Sequence, residues 1–263
     1  MATYNVSTWT EFVTAFTASG GTSADPDIIE ITADLDVNDD APRAKISAGG
    51  FKTINGNLHT IWNLSPAVEF TNFLIEYGGA SRVITWNKVN FNNIYRTNKE
   101  AVFSANSSSP MRFNQCTFVA KCPQIANYAR FTQCAITHTS ALWRTSWASA
   151  TLIQCWVHYE PIFVSGTTSA DFGTVTTSYI EGKINVPGYT SCPYFASTIN
   201  DSVINIESAM NYDYIAGSSS TKCVYNTTKM TGTIGSQSNI VGVTDSQMKD
   251  AAYLSSVGFN IIT

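Results

Sequence analysis

Four short stretches decide the fold: Trp86-Asn87-Lys88-Val89-Asn90-Phe91, Phe113-Asn114-Gln115-Cys116-Thr117-Phe118, Phe131-Thr132-Gln133-Cys134-Ala135-Ile136 and Leu152-Ile153-Gln154-Cys155-Trp156-Val157. Each runs large, polar, polar, small, variable, large, a short strand signature in which polar residues separate apolar ones. Weaker copies follow at Val175-Thr176-Thr177-Ser178-Tyr179-Ile180 and Ile199-Asn200-Asp201-Ser202-Val203-Ile204. A degenerate last copy is read at Tyr225-Asn226-Thr227-Thr228-Lys229-Met230. The small fourth position thus falls at Val89, Cys116, Cys134, Cys155, Ser178, Ser202 and Thr228, at intervals of 27, 18, 21, 23, 24 and 26 residues. A period that wanders in this range is expected of one structural coil per repeat, with loops of variable length between coils. Stacked coils set equivalent small side chains one above another at the strand spacing of about 4.8 Å, where they fill a narrow interior. The seven residues are therefore expected to form an interior ladder, with Cys116, Cys134 and Cys155 acting as small hydrophobes. Chance recurrence in a chain rich in Thr and Asn is the competing explanation. The large flanking residues recur together with the small one, which speaks against it.

Outward from the repeats, Lys52-Thr53-Ile54-Asn55-Gly56-Asn57-Leu58-His59-Thr60-Ile61 reads as strand, Asn-Gly turn, strand. The run Asp27 to Leu35 reads as a strand of the first coil. Thr8-Trp9-Thr10-Glu11 is a capping box, and Trp9, Phe12, Val13 and Phe16 follow at helical spacing until Gly20-Gly21. Thr244-Asp245-Ser246-Gln247 is a second capping box, opening a helix through Met248 and Leu254 that is expected to stop near Gly258. Helices at the two ends of a strand stack would cover its unpaired edges and apolar cross-section. The predicted organisation is a capping segment over 1–20, a parallel β-helix over 21–240, and a capping helix with tail over 241–263, all within one structural domain.

Composition agrees with this class. Of 263 residues, 15 are Lys or Arg and 19 are Asp or Glu; 13% are charged and 44% hydrophobic. The charged share is about half that of an ordinary globular domain, and Ser, Thr and Asn fill about 80 positions instead. Abundant aromatic residues with a small net charge exclude disorder. No basic run exists to hold nucleic-acid phosphates, and no apolar stretch reaches the roughly 18 residues that would cross a bilayer. The N-terminus shows no basic segment followed by an apolar core, so a cytoplasmic origin is expected. Reduced thiols are then expected at Cys116, Cys122, Cys134, Cys155, Cys192 and Cys223. Cys116 and Cys122 lack a second pair and a nearby His, a poor zinc pattern.

The Phe113-Asn114-Gln115-Cys116-Thr117-Phe118 type of copy, the Thr-Ile-Asn-Gly-Asn-x-His-Thr-Ile turn at 53–61 and the capping helix resemble right-handed parallel β-helix proteins of the pectate-lyase-like superfamily. The opening Tyr4-Asn5-Val6-Ser7-Thr8-Trp9-Thr10-Glu11-Phe12 looks like β-helix modules of gut bacteria and their phages, as does the closing stretch from Thr244 to Phe259. The resemblance covers nearly the whole chain and implies an all-β, right-handed parallel β-helix of about eight or nine coils with short terminal helices. It is specific for fold and weak for activity, because this fold carries lyases, hydrolases, adhesins and phage structural proteins.

The chemistry such enzymes need is sparse here. Of the polygalacturonase-like motifs, Asp-Asp occurs only at Asp39-Asp40, with no Gly-His-Gly after it. The central coils hold Lys121, Arg130, Arg144 and Asp171 without a carboxylate cluster. Between 101 and 200 the acids are Glu160, Asp171 and Glu181, and a paired-carboxylate site would require Glu160 and Glu181 on one face of neighbouring coils. His158 and Glu160 share a strand face as a conceivable base and partner; His59 and His138 read as structural. Asp34-Leu35-Asp36-Val37-Asn38-Asp39-Asp40 offers hard oxygen atoms but no calcium-loop spacing. No catalytic residue, metal or cofactor is assigned. Trp143, Trp147, Trp156 and Tyr159 form the candidate binding cluster, since amphipathic rings on a polar ridge suit sugars or protein contacts.

The expected function is a non-enzymatic structural or attachment protein of a phage particle, with capsid decoration ahead of tail fibre or spike. Its expected location is the virion and its expected partners are other capsid or tail proteins. A host surface glycan and a second copy of the chain are further candidates, while nucleic acid and membrane are not. A carbohydrate-binding or polysaccharide-degrading β-helix is the first alternative, and a bacterial surface adhesin module the second.

Overall fold

The alternation of the repeats becomes pairs of short parallel strands joined at a tight corner. The computed structural model describes residues 1–37, 46–64, 74–76, 82–95, 102–105, 111–121, 125–126, 128–139, 147–163, 170–185, 191–217 and 221–257. Of 95, 147–149, 161–163, 170–172, 184–185, 191–194 and 197 the backbone alone is described. Two compact units divide the chain at 136/137.

The first unit opens with β1 (Thr3–Val6) and α1 (Trp9–Thr17), followed by β2 (Asp27–Ile31), β3 (Leu35–Asp36), β4 (Ile46–Ser47), β5 (Lys52–Asn55), β6 (Thr60–Trp62) and β7 (Ile75–Glu76). It continues through β8 (Ile84–Asn87), β9 (Asn90–Tyr95), β10 (Phe103–Ser104), β11 (Met111–Asn114), β12 (Thr117–Lys121) and β13 (Ala129–Thr132), and β14 (Ala135–His138) straddles the boundary. Three parallel sheets result: β1-β2-β5-β8-β11-β13, β3-β6-β9-β12-β14 and β4-β7-β10. Successive coils thus contribute one strand to each of the two long sheets, and three of them also one to the third, the arrangement of a parallel β-helix. The second unit repeats the pattern with β15 (Trp147–Ile153), β16 (Trp156–Phe163), β17 (Ala170–Thr176), β18 (Tyr179–Asn185), β19 (Ser191–Asn200), β20 (Ser202–Glu207), β21 (Asn211–Ala216), β22 (Cys223–Asn226) and β23 (Ile240–Val243). Here the sheets run β15-β17-β19-β21 and β16-β18-β20-β22-β23. Two short helices, α2 (Asp245–Met248) and α3 (Ala251–Ser256), close it.

Each motif position has a physical task. The two large positions build columns in the core. In the first unit Trp86, Phe113 and Phe131 stack with centroids 6.3 and 5.1 Å apart, and Phe91 stacks on Phe118 at 4.9 Å. Rings of the two columns meet edge to face, the preferred arrangement for quadrupoles. In the second unit the columns are aliphatic: Leu152, Val175 and Ile199 in one, Val157, Ile180 and Ile204 in the other. The third position makes the corner. Lys88, Gln115, Gln133, Gln154, Thr177 and Asp201 all take φ between 45° and 54° and all are exposed. That left-handed conformation is uncommon for residues other than glycine.

The fourth position then turns inward. Val89, Cys116, Cys134, Cys155, Ser178 and Ser202 are buried. Cys116, Cys134, Cys155, Ser178 and Ser202 each donate their thiol or hydroxyl to the carbonyl two residues back. In the second unit the chain of hydroxyls is continuous: the Cys155 amide donates to Ser178 Oγ at 3.0 Å and the Ser178 amide to Ser202 Oγ at 3.1 Å. Thr228 is not in this ladder. It is exposed, its hydroxyl accepts from the Asp245 amide at 3.1 Å, and the residue opposite Ser202 is Cys223. The equivalent position is thus Cys223, five residues earlier, and Thr228 belongs to a polar turn following the strand.

The ends differ from the sequence reading in one respect. α1 forms with the expected capping box between Thr8 and Glu11, and its Phe12 and Phe16 cover Trp86. Beneath it Lys52 Nζ lies 3.0 Å from Asp27 Oδ2, with side-chain exposures of 0% and 3%. The same ammonium donates to the Ala18 carbonyl, and Asp27 accepts from the Ala2 amide. At the other end Thr244 and Gln247 form the second capping box, but the helix breaks in two. Asp250 caps α3 anew by accepting from the amides of Ala252 and Tyr253. Met248 and Leu254 nevertheless pack on Val203, Val224 and Val243. The Asn55-Gly56 turn joins strand to strand as expected, and β5 and β6 enter different parallel sheets. Asn57 and Leu58 carry the positive φ there. Gly56 is required for closeness, since a Cβ would lie 2.4 Å from the Lys88 carbonyl oxygen.

Candidate functional site

Parallel register puts residues at the same distance from the corner side by side on adjacent coils. Trp156 stands opposite Tyr179 and His158 opposite Glu181, and the next coil sets Val203 opposite Tyr179 and Asn205 opposite Glu181. On the outward side of β16 and β18 this yields a compact group. Trp156 is 39% exposed, and its ring stacks on that of His158 with centroids 5.5 Å apart and planes 12° from parallel. Trp156 Nε1 donates to Glu181 Oε1 at 3.1 Å, and His158 Nδ1 lies 3.3 Å from the same oxygen. One carboxylate oxygen therefore fixes two rings in a common orientation. Further along, Asn205 donates to the Tyr179 hydroxyl at 2.7 Å and Asn226 donates to Asn205 at 2.9 Å. Burial is the main reason the Tyr179 hydroxyl titrates above the usual phenol range; the Asn205 hydrogen bond opposes this and the Glu181 charge adds to it. Next to this row, Lys183 pairs with Glu207 beside a pocket of about 480 Å³ lined by both residues with Ser208, Ala209, Thr228, Lys229 and Thr231.

The expected aromatic cluster is not assembled as one face. Trp143 lies outside the described residues, and Trp147 is placed in β15 by its backbone alone. Tyr159 is 7% exposed and stacks on buried His138 at 5.0 Å, because it alternates with Trp156 and His158 on its strand and so faces inward. Trp156 alone of the four is seen at the surface. His158 pairs not with Glu160, its conceivable partner on the same strand face, but with Glu181: residues two apart on a strand share a face, and the register neighbour is nearer. Glu181 was recognisable beforehand, since it follows Ser178 by the same three residues by which His158 follows Cys155. Of the acidic run, Asp39 and Asp40 lie outside the described residues. Asp34 accepts from the Thr60 amide and pairs with His59, and Asp36 accepts from Asn63. Among the described residues no group of three or more His, Cys, Asp or Glu is placed to hold a metal. Cys116, Cys134, Cys155 and Cys223 are buried thiols not joined in disulfides. Burial pushes the Cys116 thiol up, but hydrogen bonds from Cys134 and from backbone amides outweigh it and leave the group below its ordinary value.

The arrangement suits recognition by a preset surface: an exposed indole face, held from behind, beside a row of neutral hydrogen-bonding groups. Compared with protein families, curated proteins and solved structures, the chain matches none of them.

Proposed function

We propose that this chain is a non-enzymatic structural or attachment protein of a phage particle, a capsid decoration or a tail fibre or spike component, acting through the surface of its parallel β-helix. The observation that carries this reading is the coupling of outward side chains from coil to coil. Asn114, Asn87, Asn55 and Glu30 form one hydrogen-bonded row, and Asn93, Asn63 and Asp36 another. A surface whose rotamers are already fixed loses little entropy on docking, which suits an invariant contact with a particle. The resemblance of the repeats to pectate-lyase-like β-helices, and of the opening and closing stretches to β-helix modules of gut bacteria and their phages, supports the particle. Electron microscopy of the source particle tests it: density for this chain at a fixed lattice or tail position is expected, and its absence from purified virions overturns the proposal.

A second reading has its own support. The exposed Trp156 ring, fixed by His158 and Glu181, has the form of a stacking platform for a host surface glycan. Host polysaccharide should quench tryptophan fluorescence in the parent and not in Trp156→Ala. Release of reducing ends or unsaturated uronates during incubation would instead favour a depolymerase.

A further inference from the structure

Arg112 in β11 and Arg130 in β13 stand directly opposite one another in register. Both are exposed, and among the described residues neither has an ion-pair or hydrogen-bond partner. Neighbouring strands are about 4.8 Å apart, and like charges facing each other across them are destabilising. The outward row continues with hydroxyl groups, Thr85 opposite Arg112 and Thr53 opposite Thr85. Among the described residues of the first unit, Glu30 in β2 is an acid on this sheet face; it lies beyond β8 and β5 and is already held by Asn55 and Asn57. In a chain with only 15 Lys and Arg among 263 residues, two adjacent cations without a counter-charge among the described residues call for one from outside.

We propose that Arg112 and Arg130 form a subsite for an oxyanion, a phosphate, sulfate or carboxylate group bridged between the two guanidinium groups. Each guanidinium presents a planar fork of N–H donors that matches a pair of oxygen atoms. A tetrahedral dianion offers one pair to each fork, whereas a carboxylate has a single pair to share. Phosphate and sulfate therefore bind more tightly than acetate. The strands hold the two Cα atoms at a fixed spacing, so the two guanidinium groups start from anchor points one strand apart. The subsite is independent of the assignment to a phage particle.

Inorganic phosphate, sulfate and acetate are titrated into the whole chain against chloride at matched ionic strength, by calorimetry and by thermal melting. Saturable binding of phosphate and sulfate is expected, with Arg112→Gln and Arg130→Gln each weakening it about tenfold and the double variant abolishing it. Sulfate also stabilises proteins by exclusion from their surface, so the double variant supplies the baseline. Equal responses in parent and double variant, or binding no stronger than that of chloride, overturn the proposal. Arg112→Lys and Arg130→Lys keep charge and fold while removing the fork; undiminished binding in them overturns the bidentate geometry.

Discussion

Asp27 is the residue at which the chemistry of the molecule is least forgiving. Burial alone would raise its carboxyl group, but the Ala2 amide and the Lys52 ammonium outweigh burial and hold it below the ordinary carboxylate value. A depressed folded value means that its stabilisation is complete above the unfolded value of about 3.9 and is lost as pH falls through the folded value. Asp27→Asn should remove this acid-side loss of stability. Because it strands the Lys52 charge, it should also cost about 3–5 kcal/mol at neutral pH, measured by denaturant titration. Replacing the pair together, as Asp27→Leu with Lys52→Met, should recover most of that. At the corners, Thr177 is β-branched at φ 46°, so Thr177→Asn should stabilise by about 1 kcal/mol, read as a higher melting temperature. The repeat displayed the polar third position plainly, yet polarity alone does not distinguish a left-handed corner from an ordinary strand residue.

At the scale of elements, the six-residue copies were legible because one periodic constraint, a coil, repeats them. Trp86, Phe113 and Phe131 recur at one position since they touch each other. Phe113→Ala should therefore cost about 3–5 kcal/mol, with neighbouring rings left partly uncovered; chemical denaturation checks it. Where the period weakens, the sequence reading slipped. Tyr225 to Met230 imitates a copy in composition, while β22 is specified by pairing with β20, and pairing is non-local. The break between α2 and α3 was equally hidden, because Asp250 is acceptable inside a helix and decisive only as a cap. Thr8→Ala should lose about 1 kcal/mol of stability, seen in melting, and removing Asp250 as Asp250→Ala should loosen α3 in amide exchange. Glu181 and the Arg112–Arg130 pair were written in the alignment all along. Arginine precedes the copy at both 112 and 130, and extending the motif by one residue would have exposed the pair.

For the whole molecule, the scarcity of charge has a structural counterpart. Rows of Asn, Thr and Ser carry the coil-to-coil contacts, and apart from the buried Lys52–Asp27 pair the described ion pairs, such as Lys249–Asp245, are reached by solvent. Thermal stability should accordingly change little as sodium chloride rises from about 0.05 to 0.5 M, a range in which exposed charges become screened; a steep dependence would show that surface charge, not the neutral rows, governs stability. The corner has one more consequence. From first to sixth position every copy has the same length, while the interval from copy to copy varies between 18 and 27 residues. Growth and shrinkage of the chain have thus been confined to the side away from the corner. Foreign peptides grafted between the sixth position of one copy and the first of the next should be accepted at many coils, whereas a single residue inserted at the corner should not, so each coil carries its own site for display.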